Sequence, residues 1–128
     1  GGEHRDACTR LEAITTRSGG WLSISKKNII SKVFSRSDKD NITLPDSDFS
    51  SKFIMSGSDK VLADDLLKSG FTDTMMRLDG FKKPSVEIDG KSVSVEIKGS
   101  LFSTRKETEL RQFLELAENM VDKVVHKG

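Results

Sequence analysis

The chain has 128 residues, with 21 basic and 20 acidic side chains, a formal charge of +1, and a composition 34% hydrophobic and 32% charged. A chain of this length fits one domain that buries roughly two thirds of the surface of its unfolded form. The near balance of charge lacks the basic excess of a surface that neutralises many phosphates, and so argues against nucleic acid as a partner.

The two histidines, His4 and His126, sit at the chain ends, and the one cysteine is Cys8. The interior therefore lacks an imidazole and a thiol, the usual tools of proton transfer, nucleophile activation and transition-metal binding. No enzyme activity, metal or cofactor is expected, and a lone cysteine rules out an intramolecular disulfide framework. No apolar run reaches the length of a membrane span. Gly1-Gly2 reads as a cloning scar, residues 3–128 as a single α+β domain, and the start as that of a fragment of something longer.

In chain order, Ala7, Leu11 and Ile14 recur at helical spacing before Ser18-Gly19-Gly20, which predicts an N-terminal helix over 3–17. Trp21, Leu22 and Ile24, then Ile29, Ile30, Val33 and Phe34, predict a hairpin around Lys26-Lys27-Asn28. Ile42-Thr43-Leu44 is a short strand ended by Pro45, and Asp46-Ser47-Asp48 turns into a strand over Lys52-Phe53-Ile54-Met55. Gly57-Ser58-Asp59 offers a cap to a helix with Val61, Leu62, Leu66 and Leu67 on one stripe, ended by Gly70 in the left-handed conformation. A second short helix runs from Thr72 to Gly80. Its charges, Asp73 and Asp79 against Arg77, do not suit a helix that reads DNA.

Val86 and Ile88, then Val93, Val95 and Ile97, alternate with polar residues on either side of Asp89-Gly90. The pattern predicts a hairpin with a two-residue type I′ turn and Val86 opposite Val93. Glu87, Ser92, Ser94 and Glu96 fall on the other, solvated face. Thr104-Arg105-Lys106-Glu107 has the form of a capping box. The helix it starts carries Leu110, Phe113, Leu114, Ala117, Met120, Val121 and Val124 as an apolar stripe over about five turns.

These elements assemble as an α+β fold: a mainly antiparallel sheet of five to six strands with the long C-terminal helix packed on one face, plus an N-terminal helix and a central helical pair. Phe49, Phe53, Leu110, Phe113 and Leu114 are the expected core.

Asp38, Asp40, Asn41, Asp46 and Asp48 lack the alternating ligand order of a calcium loop and read as polar turns. Adjacent Asp64 and Asp65 diverge on a helix and read as a solvated face. The basic-aromatic group Trp21, Lys26 and Lys27, with Lys32, and the group Lys82-Lys83 beside Phe81 suit an acidic partner or a membrane surface. Glu87 and Glu96 share the exposed hairpin face. Trp21, Lys26, Lys27, Glu87 and Glu96 are thus the candidate interaction residues.

Asp48-Phe49, Lys52-Phe53-Ile54-Met55 and Gly57-Ser58-Asp59 before Leu66-Leu67, followed by a strand pair and a leucine-rich terminal helix, resemble the soluble domain of uncharacterised prokaryotic membrane-anchored proteins. The resemblance spans about two thirds of the chain. It implies a domain facing one side of a membrane, attached through sequence elsewhere, and it brings no catalytic residues. The expected function is a non-enzymatic interaction or sensory module with a protein partner. A second expectation is a binding domain for an apolar small ligand or lipid held between the sheet and the C-terminal helix, since the element order is also similar to helix-grip folds.

Overall fold

The computed structural model describes residues 8–15, 19–27, 41–42, 44, 47–101 and 104–125. In chain order these form β1 (Cys8–Ile14), β2 (Leu22–Lys26), β3 (Asn41–Ile42), α1 (Ser47–Lys52), β4 (Phe53–Gly57), α2 (Lys60–Lys68), α3 (Phe71–Leu78), β5 (Ser85–Ile88), β6 (Ser92–Lys98) and α4 (Glu107–Val125). A 3₁₀ turn (Thr104–Lys106) leads into α4. The strands form one antiparallel sheet in the order β1-β6-β5-β2-β4-β3, giving an α+β fold.

Alternation along each strand sorts the side chains onto two faces. One face carries Leu22, Ile24, Met55, Val86, Ile88, Val93, Val95 and Ile97, all buried. Leu62 and Leu66 of α2, Phe71, Met75 and Leu78 of α3, and Phe113, Ala117, Met120 and Val124 of α4 complete the same core. The spacing of the α4 residues is the stripe expected from the sequence. Phe49 and Phe53 stack at 5.2 Å, while Leu110 and Leu114 pack at its margin, half-buried.

Three sequence expectations need correction. First, residues 8–14 form a strand, not an N-terminal helix. Thr9, Leu11 and Ala13 alternate with exposed Cys8, Arg10 and Glu12, and the seven residues pair with all of β6. Ile14, assigned to the buried helical stripe, is 79% exposed. The ladder to β6 overrides a weak local helical period. Second, the hairpin register places Val86 opposite Val95 and Ile88 opposite Val93. Gly90 has no positive φ, so the turn is not type I′. Instead Asp89 brackets it, with its carboxylate accepting from Lys91 N–H at 2.7 Å and Ser92 N–H at 2.8 Å. Those amides hold its carboxyl below the usual carboxylate range. A slip of two residues leaves every side chain on its expected face. Third, β2 lies between β4 and β5. The second arm of the predicted hairpin, Ile29 to Phe34, lies outside the described residues, as do Lys32 and the aspartates at 38, 40 and 46.

The turn before Phe49 is a short helix, α1, and the strand begins at Phe53. Asp59 caps α2 by accepting from Leu62 N–H at 3.0 Å, and Gly70 follows it at φ +80°, as expected of a left-handed stop. Glu107 is the first residue of α4, and its carboxylate accepts from Arg111 at 2.9 Å. The Thr104 side chain of the expected capping box is outside the described residues.

Candidate functional site

The five residues nominated from the sequence do not converge. Trp21 and Lys26 bracket opposite ends of β2, about 16 Å apart for an extended chain. The Trp21 carbonyl accepts from Ser58 N–H at 3.0 Å and Asp59 N–H at 3.3 Å, while Trp21 N–H donates to Ser58 Oγ at 3.1 Å. Trp21 therefore anchors the start of α2. Lys27 is exposed and donates to the Ser50 carbonyl at 3.3 Å.

Lys26 is a structural tie. Its ammonium bonds the Asp79 carboxylate and lies 5.7 Å from the centre of the Phe53 ring, and Lys52 reaches the other Asp79 oxygen at 3.2 Å. Asp79 closes the C-terminal end of α3, where a carboxylate opposes the helix dipole, so the two lysines offset that repulsion. The Lys26 hydrogen bond, more than any other influence, holds the Asp79 carboxyl below its usual range. A depressed folded-state pKa contributes stability above the unfolded value and loses it as pH falls through the folded one. Asp79→Asn is therefore expected to cost about 1–2 kcal/mol at neutral pH, a discounted value for a hydrogen bond to a charged group that is partly exposed. Thermal melts of the two proteins should converge as the pH falls below the ordinary carboxylate range and through the lowered pKa of Asp79.

Glu87 and Glu96 do share the face of the sheet opposite the helices, but they oppose Ser94 and Ser85 respectively. Glu96 accepts from Arg10 at 3.4 Å. It also raises the pKa of the exposed Cys8 thiol, chiefly through a hydrogen bond, which disfavours the reactive thiolate. That face is wet over β5 and β6, whereas over β2 and β4 Ser23, Ser25 and Ser56 are buried.

The structure brings together a different set of residues. A cleft of about 720 Å³ opens between the first half of α4, the end of β6 and the turn after α3. Its floor is apolar, made by Phe81, Ile97, Leu101 and Leu116. Arg77, Lys82 and Lys106 stand on its rim against Glu109 and Glu115, with Gln112 beside them, and Lys98 lines it at the end of β6.

Each wall is fixed by local bonds. Phe81 N–H donates to the Leu78 carbonyl at 2.9 Å, and the Phe81 ring meets the edge of buried Phe113 at 6.0 Å and 76°. Lys98 N–H donates to the Lys82 carbonyl at 2.8 Å, which holds the 80–82 turn against β6. The chain then reverses at Gly99, φ +87°, a conformation that glycine reaches without a Cβ penalty. Thr9 Oγ1 secures that reversal by donating to the Gly99 carbonyl at 2.8 Å and accepting from Leu101 N–H at 3.0 Å.

Of this set, sequence reasoning flagged only Phe81 with Lys82. The other contributors come from segments far apart in the chain and share no motif. Among the described residues no group of three or more His, Cys, Asp or Glu is placed to hold a metal ion. No helix among them is long and apolar enough to cross a membrane. No protein-family model, curated protein or solved structure matches this chain.

Proposed function

We propose that this domain is a non-enzymatic binding module whose cleft takes a small amphiphilic anion. The observation that carries the reading is the cleft's lining: an apolar floor beneath the cations of Arg77, Lys82 and Lys106 and two carboxylates. Its volume falls in the range of small-molecule sites, and a few polar groups around an apolar surface are what such sites use to orient a ligand. The position of the cleft, between the end of β6 and the first half of α4, supports this reading. The cationic rim narrows the ligand from any apolar molecule to one with an anionic head. An anion desolvated on one side gains from the cations, and an apolar chain on the floor is removed from water.

In this reading the module is a sensory part of a larger membrane-associated protein. The resemblance carried by Asp48-Phe49, Gly57-Ser58-Asp59 and the terminal helix supports that setting.

Titration with decanoate and with the neutral decanol, followed by backbone amide shifts, tests the proposal. Decanoate should move the amides of Phe81, Gly99 and Gln112, and decanol should bind at least about tenfold more weakly. Lys82→Glu with Lys106→Glu leaves Arg77 against four carboxylates and should abolish the preference for the anion. Equal binding of the two probes, or shifts elsewhere in the protein, would remove the basis of the proposal.

A further inference from the structure

β1 is an edge strand seven residues long, and among the described residues no strand pairs with its outer side. Thr15 N–H donates to the Lys91 carbonyl at 2.7 Å, which continues the β1–β6 ladder by one pair. Hydrogen-bonded pairs alternate in an antiparallel ladder. Thr9, Leu11 and Ala13 therefore turn their backbone groups toward β6, and Arg10, Glu12 and Ile14 turn theirs outward.

Natural edges of this length are usually blunted by proline, a bulge, an inward-pointing charge or a covering element. None of the first three occurs in β1. Its charged side chains, Arg10 and Glu12, lie on the face away from the helices, 4.0 Å from each other. Ile14 is exposed at the end of the strand.

On the helix side of the same edge lies a groove of about 620 Å³. Leu11, Ala13 and Val121 give it apolar walls, and Glu115, Glu118 and Asp122 form an acidic stripe at helical spacing along α4. Among the described residues its lining holds three carboxylates and no lysine or arginine.

We propose that β1 is a β-augmentation site for an extended, basic segment of a partner protein. The segment adds as a further strand, bonding to the outward backbone groups of Arg10, Glu12 and Ile14. Its apolar side chains and its lysines or arginines on the inward face enter the groove, where the cations meet the α4 stripe. Backbone bonds supply affinity in this mode, and the side chains that enter the groove supply selectivity. The acidic stripe decides the occupant. A second copy pairing through its own β1 would bring two such stripes together on one side of the joined sheet, whereas a basic strand neutralises the one that is there. This inference goes beyond the anion-binding reading and does not depend on it.

The test uses a fluorescent eight-residue peptide alternating lysine and valine, with a glutamate and valine peptide as control, at low ionic strength. The lysine peptide should bind, and the amides of Glu12 and Ile14 should become protected from hydrogen exchange. Glu12→Pro removes one outward N–H and is tolerated at an edge, so it should weaken binding about tenfold while the melting temperature changes little. Glu118→Lys should weaken it about threefold and flatten its dependence on salt. No binding of the lysine peptide, equal binding of the two peptides, or undiminished binding by a folded Glu12→Pro protein would overturn the proposal. So would a concentration-dependent dimer that Glu12→Pro dissolves, since a second copy would then occupy the edge.

Discussion

Phe113→Ala is expected to destabilise the domain by about 3–5 kcal/mol, the cost of removing a fully buried aromatic ring and leaving a cavity. For a domain of this size that corresponds to a melting temperature lower by about 10–20 °C. Phe113 is 0% exposed, the first of the four buried residues of the α4 stripe, and is surrounded by the apolar core. The ring also supports Phe81, the turn residue on the cleft floor. The variant should therefore loosen the cleft before the whole domain unfolds, with faster hydrogen exchange at Phe81 and Lys82 than at Val86 or Val95. A Phe113→Ala protein with unchanged melting would refute the packing of α4 on the sheet. One that melts early but keeps Phe81 protected would separate the cleft from the core.

How much of this was legible in the sequence depends on how far each feature reaches along the chain. The caps of α2, the two central helices and the α4 stripe were legible because residues within a few positions determine them. The β5–β6 strands were legible for the same reason, although the Asp89 carboxylate moved the turn. β1 was not. Its inward residues are Thr9, Leu11 and Ala13, of which only Leu11 is a large apolar side chain, too little to display a strand period, and the strand takes its conformation from β6, some eighty residues away. Leu11 and Ile14, three apart, were compatible with one helical face, yet in the strand they point to opposite sides of the sheet.

The candidate site shows the same limit more sharply. Lys26 and Trp21 are close in sequence, but a strand separates them, and Asp79 and Ser58 then use them as ties. The cleft draws on residues 77–82, 97–101 and 106–116. Only the closing of the antiparallel sheet and the return of α4 across it bring those segments together. The β1 edge was hidden for a related reason: an edge is a property of the sheet's order, which no single strand displays.

Gly57→Ala is expected to cost about 3 kcal/mol or more, although the substitution adds a single methyl group. A Cβ at Gly57 would stand 2.2 Å from the Trp21 carbonyl oxygen, 2.7 Å from Leu22 Cδ2 and 2.9 Å from Leu22 Cα. The Trp21 carbonyl cannot retreat freely, since it accepts from both Ser58 and Asp59, and Leu22 is buried in the pairing of β2 with β4 and β5. The methyl can be accommodated only by parting two central strands or by releasing the start of α2. This gives the Gly57-Ser58-Asp59 run a physical meaning. The glycine permits close approach, the serine accepts from Trp21 N–H and the aspartate caps the helix, so the motif is a strand-to-helix joint. Gly80→Ala is the matched control, because its Cβ would lie 3.5 Å from the nearest atom, the Arg77 carbonyl oxygen. It should shift stability by no more than about 0.5 kcal/mol. Chemical denaturation of the two variants should separate them widely. Near-equal midpoints would show that β2 and β4 can part at this point at little cost, and the joint would then lose its structural explanation.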